Sequence, residues 1–308
     1  MIAKTIVITG ANGLLGQKLV QKLARREAVH LIATGIGRNR LPIEEGYVYE
    51  KMDITKPDQV REIFQKYGPT EIINTAAMTN VDQCETEQEA CWELNAKAVE
   101  TQVALCQEFG TRMVHISTDF VFDGAAGPYT EKAIPNPLSV YGRSKLEAEN
   151  IVMSSGIRYA IARTMLVFGV VPDMSRSNIV LWAKKTLEAH QPIRAVNDQW
   201  RCPTLAEDLA EGVVLMTMKD KGGIYHISGP EMYSIHEIIQ IVADHWKLDP
   251  SLITAEDSIG LNQAAKRPPR TGFIILKAQT ELGYRPRTFR EALAVVEKQL
   301  ADYREERG

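Results

Sequence analysis

Over its first half the chain alternates short apolar runs with longer stretches whose apolar residues recur every three or four positions. The runs TIVIT (5–9), HLIAT (30–34), YVYEKM (47–52), EIIN (71–74), MVHIS (113–117) and YAIAR (159–163) predict strands. Gly13 to about Arg25 predicts a helix, with Leu14, Leu15, Leu19 and Leu23 turned inward, and 57–66, 87–108 and 144–154 predict three more. Strands separated by helices argue for right-handed crossovers. The expected fold class is therefore α/β, a Rossmann-like, doubly wound parallel sheet.

After Arg163 the alternation breaks. DQWRCPT (198–204) and RPPRTG (267–272) read as loops, 205–218 and 234–245 as helices, and GIYHISG (223–229) as one more strand returning to the sheet. The expected division is a dinucleotide-binding domain over 1–165, rejoined by about 205–228, and a smaller C-terminal substrate lobe over 166–308. The chain shows no internal repeat and no low-complexity stretch.

Composition narrows the function. The 308 residues are 44% hydrophobic and 24% charged, an ordinary globular balance. The net charge of −3 supplies no basic stripe to neutralise a phosphate backbone, so a nucleic-acid partner is not expected. Cys84, Cys91, Cys106 and Cys202 have no CxxC spacing and read as buried or free thiols in a reducing compartment. The six histidines lie apart without HExxH, so no catalytic metal held by histidine and cysteine is expected, and a need for Mg²⁺ stays open. MIAKTIVITGANG lacks the pattern of a signal peptide, and no run of ~18 apolar residues suggests a membrane span. These features predict a cytoplasmic protein off the membrane; a homodimer stays open.

Two stretches carry chemistry. VITGANGLLG ends a strand at Thr9 and opens a helix near Gly13. Gly10, Gly13 and Gly16 at such a turn let the backbone approach a pyrophosphate and aim helical N–H groups at it. A glycine triplet also occurs in turns without a ligand, and placement directly after the first strand favours the dinucleotide. The second strand ends in ATGIGRNR, with no carboxylate between Ala33 and Arg40 to hold a 2′-hydroxyl. Arg38 and Arg40 suit a 2′-phosphate instead, so NADP(H) is expected over NAD(H), which remains possible.

In SVYGRSKLEAEN, Tyr141 stands four residues before Lys145, on one helical face. An ammonium beside the phenol is expected to lower its pKa from ~10, so that it can pass a proton to a carbonyl oxygen. Lys145 would also orient the cofactor ribose. Alone, such a pair is common on exposed helices. Here MVHISTDFVFDG also places Thr118 and Asp119 at the carboxyl edge of a strand, where open α/β sheets bind ligands.

TGxxGxxG, a strand ending in Ser/Thr and then YxxxK together resemble an extended short-chain dehydrogenase/reductase. NTAAMTNVDQCE (74–85), STDFVFDG (117–124), YGRSKLEAE (141–149), RTMLVFG (163–169), GIYHISG and RPPRTGFIILKAQTELGYRP (267–286) resemble the dTDP-4-dehydrorhamnose reductase family over nearly the whole chain. The resemblance implies Thr118, Tyr141 and Lys145 as a catalytic triad, with Asn95 supporting the lysine. It implies cofactor contacts from Gly10, Asn12, Gly13, Leu14, Leu15, Gly16, Arg38, Asp53, Ile54, Ala76 and Ala77, besides Tyr141 and Lys145. A nucleotide-sugar substrate would be met by Thr118, Asp119, Gln199, Thr204 and Arg267, with Arg270 a second cation. The chain departs from the family at Phe120, where a tyrosine is common, and at Leu166, where a tryptophan is common.

The resemblance thus implies NADPH-dependent reduction of a 4-keto sugar nucleotide. A non-catalytic, NADP-binding regulatory subunit is the alternative, and another sugar-nucleotide oxidoreductase or epimerase is a third. Dehydration ranks low, because STDF places Phe120 where a dehydratase would have an acidic residue.

Overall fold

All seven predicted strands form, the seventh shortened to Gly223–His226. The computed structural model describes residues 4–172, 177–260 and 264–305. Strands β1 (Lys4–Thr9), β2 (Val29–Gly35), β3 (Val48–Lys51), β4 (Glu71–Asn74), β5 (Arg112–Thr118), β6 (Tyr159–Thr164) and β7 (Gly223–His226) make one sheet in the order β7-β6-β5-β4-β1-β2-β3. Every pairing in it is parallel. The chain leaves β1 for β2 on one side and returns through β4 on the other. This reversal opens a crevice at the carboxyl ends of β1 and β4.

Period-two alternation sends each strand's side chains to two buried layers. Val7, Ile32, Ile72, Met113 and Ile161 pack with helices α2 (Pro57–Tyr67), α3 (Ala98–Phe109) and α4 (Val140–Ser154). On the opposite face Ile6, Ile8, Leu31, Ile73 and Val114 pack with α1 (Leu14–Leu23) and α5 (Ala206–Met218). Helices on both faces explain why these strands read as apolar runs rather than alternating ones.

Two boundaries differ from the sequence reading in ways that matter for the site. The expected helix over 87–108 is three pieces: Gln88–Trp92, a π-turn at Glu93–Lys97, and α3. α4 starts at Val140, four residues earlier than expected, because Ser139 Oγ accepts the Gly142 N–H at 3.1 Å as an N-cap. Tyr141 therefore lies in the first turn of α4 and Lys145 one turn later.

The remaining chain builds a separate core. Helices Ile179–Glu188, Ile235–His245 and Phe289–Glu305 enclose it together with the parallel pair Ile193–Val196 and Ile253–Glu256. The first and third of these helices and both strands are absent from the sequence reading. Four-residue strands paired across about 60 positions leave no local signature. Among the described residues, no helix is long and apolar enough to cross a membrane. All four cysteines are buried thiols outside any disulfide.

Candidate active site

The glycine turn links β1 to α1, and its three glycines have different reasons to be glycine. Gly10 has φ +67°. A Cβ there would lie 2.9 Å from the Ala76 nitrogen. At Gly16 a Cβ would come within 2.3 Å of the Gly10 carbonyl, so this glycine lets α1 lie against β1. Gly13 is exposed, has φ −78°, and an added Cβ would meet only the Gly10 oxygen, at 3.2 Å. No side chain caps α1 at Gly13. A helix start left without a side-chain cap beside a glycine turn is an arrangement that suits an anion.

The Asn12 side chain is held by neighbours within the protein. Its amide donates to the Arg38 carbonyl (3.0 Å) and the Tyr49 hydroxyl (2.8 Å), while its oxygen accepts the Arg40 N–H (2.9 Å). It ties the glycine turn to the arginine loop and brings Arg38 and Arg40 to the same edge. Asp53 Oδ1 accepts from the Thr55 N–H and hydroxyl, fixing the turn after β3, and Ile54 is buried behind it. Leu14 and Leu15 are half-buried at the start of α1, and Ala76 and Ala77 are half-buried past the end of β4, against Gly10.

The other half of the site sits at the end of β5. Thr118 is buried there, and its hydroxyl accepts the Phe120 N–H at 3.2 Å. Tyr141 is 8% exposed, with Phe120 edge-on to its ring (centroids 5.7 Å apart). Burial raises the Tyr141 phenol well above its ordinary pKa, and a hydrogen bond with Thr118 pulls the other way. The sequence reading expected the opposite direction. It counted the lysine charge and not the loss of water.

Lys145 is 2% exposed, and its Nζ donates to the Ile116 carbonyl at 2.7 Å and lies 3.1 Å from His115 Nε2. Burial lowers its pKa to about 8. Asn95 makes no direct bond to the lysine. Its amide brackets the Met78 backbone, accepting from N–H (2.8 Å) and donating to C=O (3.1 Å), and also donates to Ser144 Oγ (3.1 Å). The π-turn that carries Asn95 thereby fastens the chain beyond Ala77 to α4, beside Lys145.

Two residues expected to meet the substrate, Asp119 and Thr204, have side chains bonded to neighbours within the protein. Asp119 is 2% exposed, accepts from the Thr271 hydroxyl, and pairs with Arg201 Nε at 3.3 Å. Thr204 is fully buried and bonds the Cys202 carbonyl (3.1 Å) and the Gly229 N–H (3.3 Å). Gln199 is buried, and its backbone carbonyl accepts the Ile235 N–H at 3.0 Å. Arg267 forms a bidentate pair with Asp82, at 3.1 and 2.6 Å, on the loop that also carries exposed Arg270.

With this geometry in hand, the chain was compared with known proteins. A family model described as "RmlD substrate binding domain" matches residues 4–301. The chain belongs to this family. It is 31% identical to the spore coat polysaccharide biosynthesis protein SpsK of Bacillus subtilis, covering 94% of this chain and 95% of that protein. It is also 31% identical to methionine adenosyltransferase 2 subunit beta of Xenopus tropicalis, over 80% of this chain and 73% of that one. A solved dTDP-4-dehydrorhamnose reductase from Bacillus anthracis, in complex with NADP, superposes with TM-score 0.83 at 26% identity, covering 96% of this chain and 99% of that one.

In this member of the RmlD family, sequence reasoning missed Tyr49, His115, Arg201 and Thr271. Each acts through a partner distant in sequence: Asn12, Lys145 or Asp119. One signal was available. A buried-looking arginine in DQWRCPT, a segment otherwise read as a loop, called for a carboxylate partner.

Proposed function

We propose that the chain is an NADPH-dependent reductase acting on the 4-keto group of a nucleotide-activated deoxyhexose, with Tyr141 as proton donor. The single observation that carries this is that Thr118, Tyr141 and Lys145 lie at the same sheet edge as the glycine turn.

The residues present fit the cofactor. Gly13 is exposed, and a Cβ there would meet only the Gly10 carbonyl oxygen, at 3.2 Å, so no other protein atom fills the position a pyrophosphate would take. The uncapped start of α1 matches its charge, and Arg38 and Arg40 suit a 2′-phosphate. A related reductase at 26% identity is solved with NADP. When bound, the nicotinamide supplies a hydride to the sugar carbonyl carbon.

The chain's own groups handle the oxygen. The Thr118 hydroxyl holds the carbonyl oxygen beside the Tyr141 phenol, and Tyr141 delivers its proton there as negative charge develops. A phenol whose pKa burial has raised stays protonated near neutral pH, the form that reduction needs. Arg270, and Arg267 on release from Asp82, are the cations for the substrate diphosphate. Leu166, at φ +43°, packs its side chain against the C-terminal core, so the sugar is held without an aromatic platform from that position.

The test is to mix purified protein, NADPH and dTDP-4-keto-6-deoxy-L-mannose and follow the nicotinamide absorbance. Oxidation of NADPH that depends on the sugar supports the reading. NADPH binding without turnover of this or related keto-sugars overturns it. A second reading, a regulatory subunit, is favoured by the 31% identity to the methionine adenosyltransferase beta subunit. It predicts a stoichiometric partner on purification and no reductase activity.

A further inference from the structure

Two tyrosine hydroxyls hold the loop that carries the arginines. Tyr47 stands just before β3 and Tyr49 within it, and both pack against the core that receives α1. Residues two apart on an extended chain share a face, so both rings support the loop from the same side of the sheet. Tyr49 lies in register with Ala33 of β2, two residues before that strand ends at Gly35. The chain then runs exposed over 36–39 and turns back at Arg40.

Tyr47 grips the far side of this loop. Asn39 Nδ2 donates to its hydroxyl at 2.8 Å, the hydroxyl donates to the Ile43 carbonyl at 2.6 Å, and the Leu41 N–H donates to Asn39 Oδ1 at 3.0 Å.

At the near side, the donors and acceptors have one consistent assignment. The Arg40 N–H can only donate, and it meets Asn12 Oδ1 at 2.9 Å. The Arg38 carbonyl can only accept, and it meets Asn12 Nδ2 at 3.0 Å. These two obligate roles fix the Asn12 amide in one orientation. Asn12 Nδ2 therefore donates to the Tyr49 hydroxyl as well, at 2.8 Å. The Tyr49 oxygen is an acceptor there, and its own proton is directed at the Gly37 and Arg38 carbonyls, at 3.3 and 3.4 Å. Burial raises the pKa of this phenol, so it keeps that proton at neutral pH. The cluster has little slack. A Cβ at Gly35 would come to 3.2 Å from Asn12 Nδ2 and 3.3 Å from the Tyr49 oxygen.

The Tyr49 hydroxyl and the Asn12 amide thus grip the loop at Gly37, Arg38 and Arg40. Every one of these bonds goes to a backbone atom of the loop, so together they set where the arginine side chains start.

We propose that Tyr49 is a specificity-determining residue for the cofactor, positioning Arg38 and Arg40 for a 2′-phosphate through the Asn12-linked loop backbone. This role rests on the NADPH reading above and adds a group that acts through the loop. Ordering a loop on binding subtracts from affinity, and a backbone held beforehand spares that cost. NADPH presents a phosphate that needs the guanidinium groups in place. NADH has a hydroxyl at the same position and does not. Loss of the grip should therefore weaken NADPH and spare NADH.

The test is a binding measurement and needs no turnover. NADPH and NADH are titrated by fluorescence into wild type and Tyr49→Phe. Adenosine 2′,5′-bisphosphate and 5′-AMP, titrated by calorimetry, isolate the 2′ group. Tyr49→Phe keeps the ring against the core and removes only the hydroxyl, so it should melt within a few degrees of wild type. Its NADPH affinity is expected to fall at least about fivefold, the scale of one net hydrogen bond, with NADH held within about twofold. The bisphosphate should follow NADPH, and 5′-AMP should follow NADH. A double-mutant cycle supplies the second measurement. In protein already carrying Arg38→Ala and Arg40→Ala, Tyr49→Phe should change NADPH affinity by less than about twofold, because the groups it positions are gone.

An equal loss for NADPH and NADH would make Tyr49 a support of the fold alone and overturns the proposal. So does an undiminished effect of Tyr49→Phe in the absence of both arginines. A wild type that binds NADH as tightly as NADPH sinks the NADPH preference and this role with it. Preferential NADPH binding whose ratio to NADH is unchanged in Tyr49→Phe sinks this role alone.

Discussion

Gly13 and Gly16 are indistinguishable in a motif and serve different ends in the structure. A side chain at Gly16 would collide with the Gly10 carbonyl at 2.3 Å, whereas at Gly13 it would have only the same carbonyl at 3.2 Å for company. Gly16→Val should therefore destabilise the fold by several kcal/mol, on the order of other overpacked sites. Gly13→Val should melt near wild type and bind NADPH at least about tenfold more weakly, by fluorescence titration, because the Cβ enters the space the pyrophosphate needs. Tyr141→Phe should lower turnover by about 10²–10⁴-fold with NADPH affinity unchanged, since only the proton donor is lost.

Lys145 offers a stability test of the same site. Its folded pKa is about 8 against an ordinary 10.5, so folding disfavours its charged form. The unfolded chain holds the proton between these two values and the folded chain does not, so this group's contribution to stability rises with pH from about 8 to 10.5 and is least favourable below 8. Lys145→Met removes that penalty and, after losing two buried hydrogen bonds, should gain about 1–3 kcal/mol below pH 8. Urea denaturation at pH 7 and pH 10 checks it: the advantage should shrink at the higher pH.

At the scale of elements, the start of α4 sets where the phenol lies. Ser139 caps the helix, and Gly142 lets its first turn touch the Phe120 carbonyl, where a Cβ would come to 2.2 Å. Ser139→Ala should cost about 1 kcal/mol by denaturation. Because the frayed turn is the one that carries Tyr141, turnover should fall while NADPH affinity holds. The π-turn at Glu93–Lys97 works similarly, turning Asn95 onto the Met78 backbone. Apolar periodicity showed neither feature: a cap is one hydroxyl, and a π-turn shifts the pattern by a single residue.

Arg201 ties the C-terminal loop to the end of β5. Arg201 pairs with buried Asp119 and donates to the Trp200, Pro268 and Pro269 carbonyls, drawing the RPPR segment to the end of β5. Arg201→Met leaves Asp119 buried without its cation and should cost about 3–5 kcal/mol at pH 8. Burial already raises the Asp119 pKa, and losing the arginine raises it further. A carboxyl of that kind favours the fold at low pH, so the loss should shrink at pH 5; urea melts at both values decide it.

Much of the fold was legible at this scale. The first six strands, the glycine turn and the Thr118–Tyr141–Lys145 set could be read because each is written within a few consecutive residues. β-branched runs bury on both faces of a parallel sheet, and glycines make a turn wherever they stand. The C-terminal core was not legible, since its short strands and helices find each other only across long separations. Nor were the clamps, because Asp119, Thr204 and Asn12 have polar side chains suited equally to a ligand or to a neighbour. The sequence determined which groups are available for chemistry. Only the tertiary structure decided which of them face the cleft and which are consumed in holding it together, because hydrogen-bond partners and the loss of water are set by residues far away along the chain.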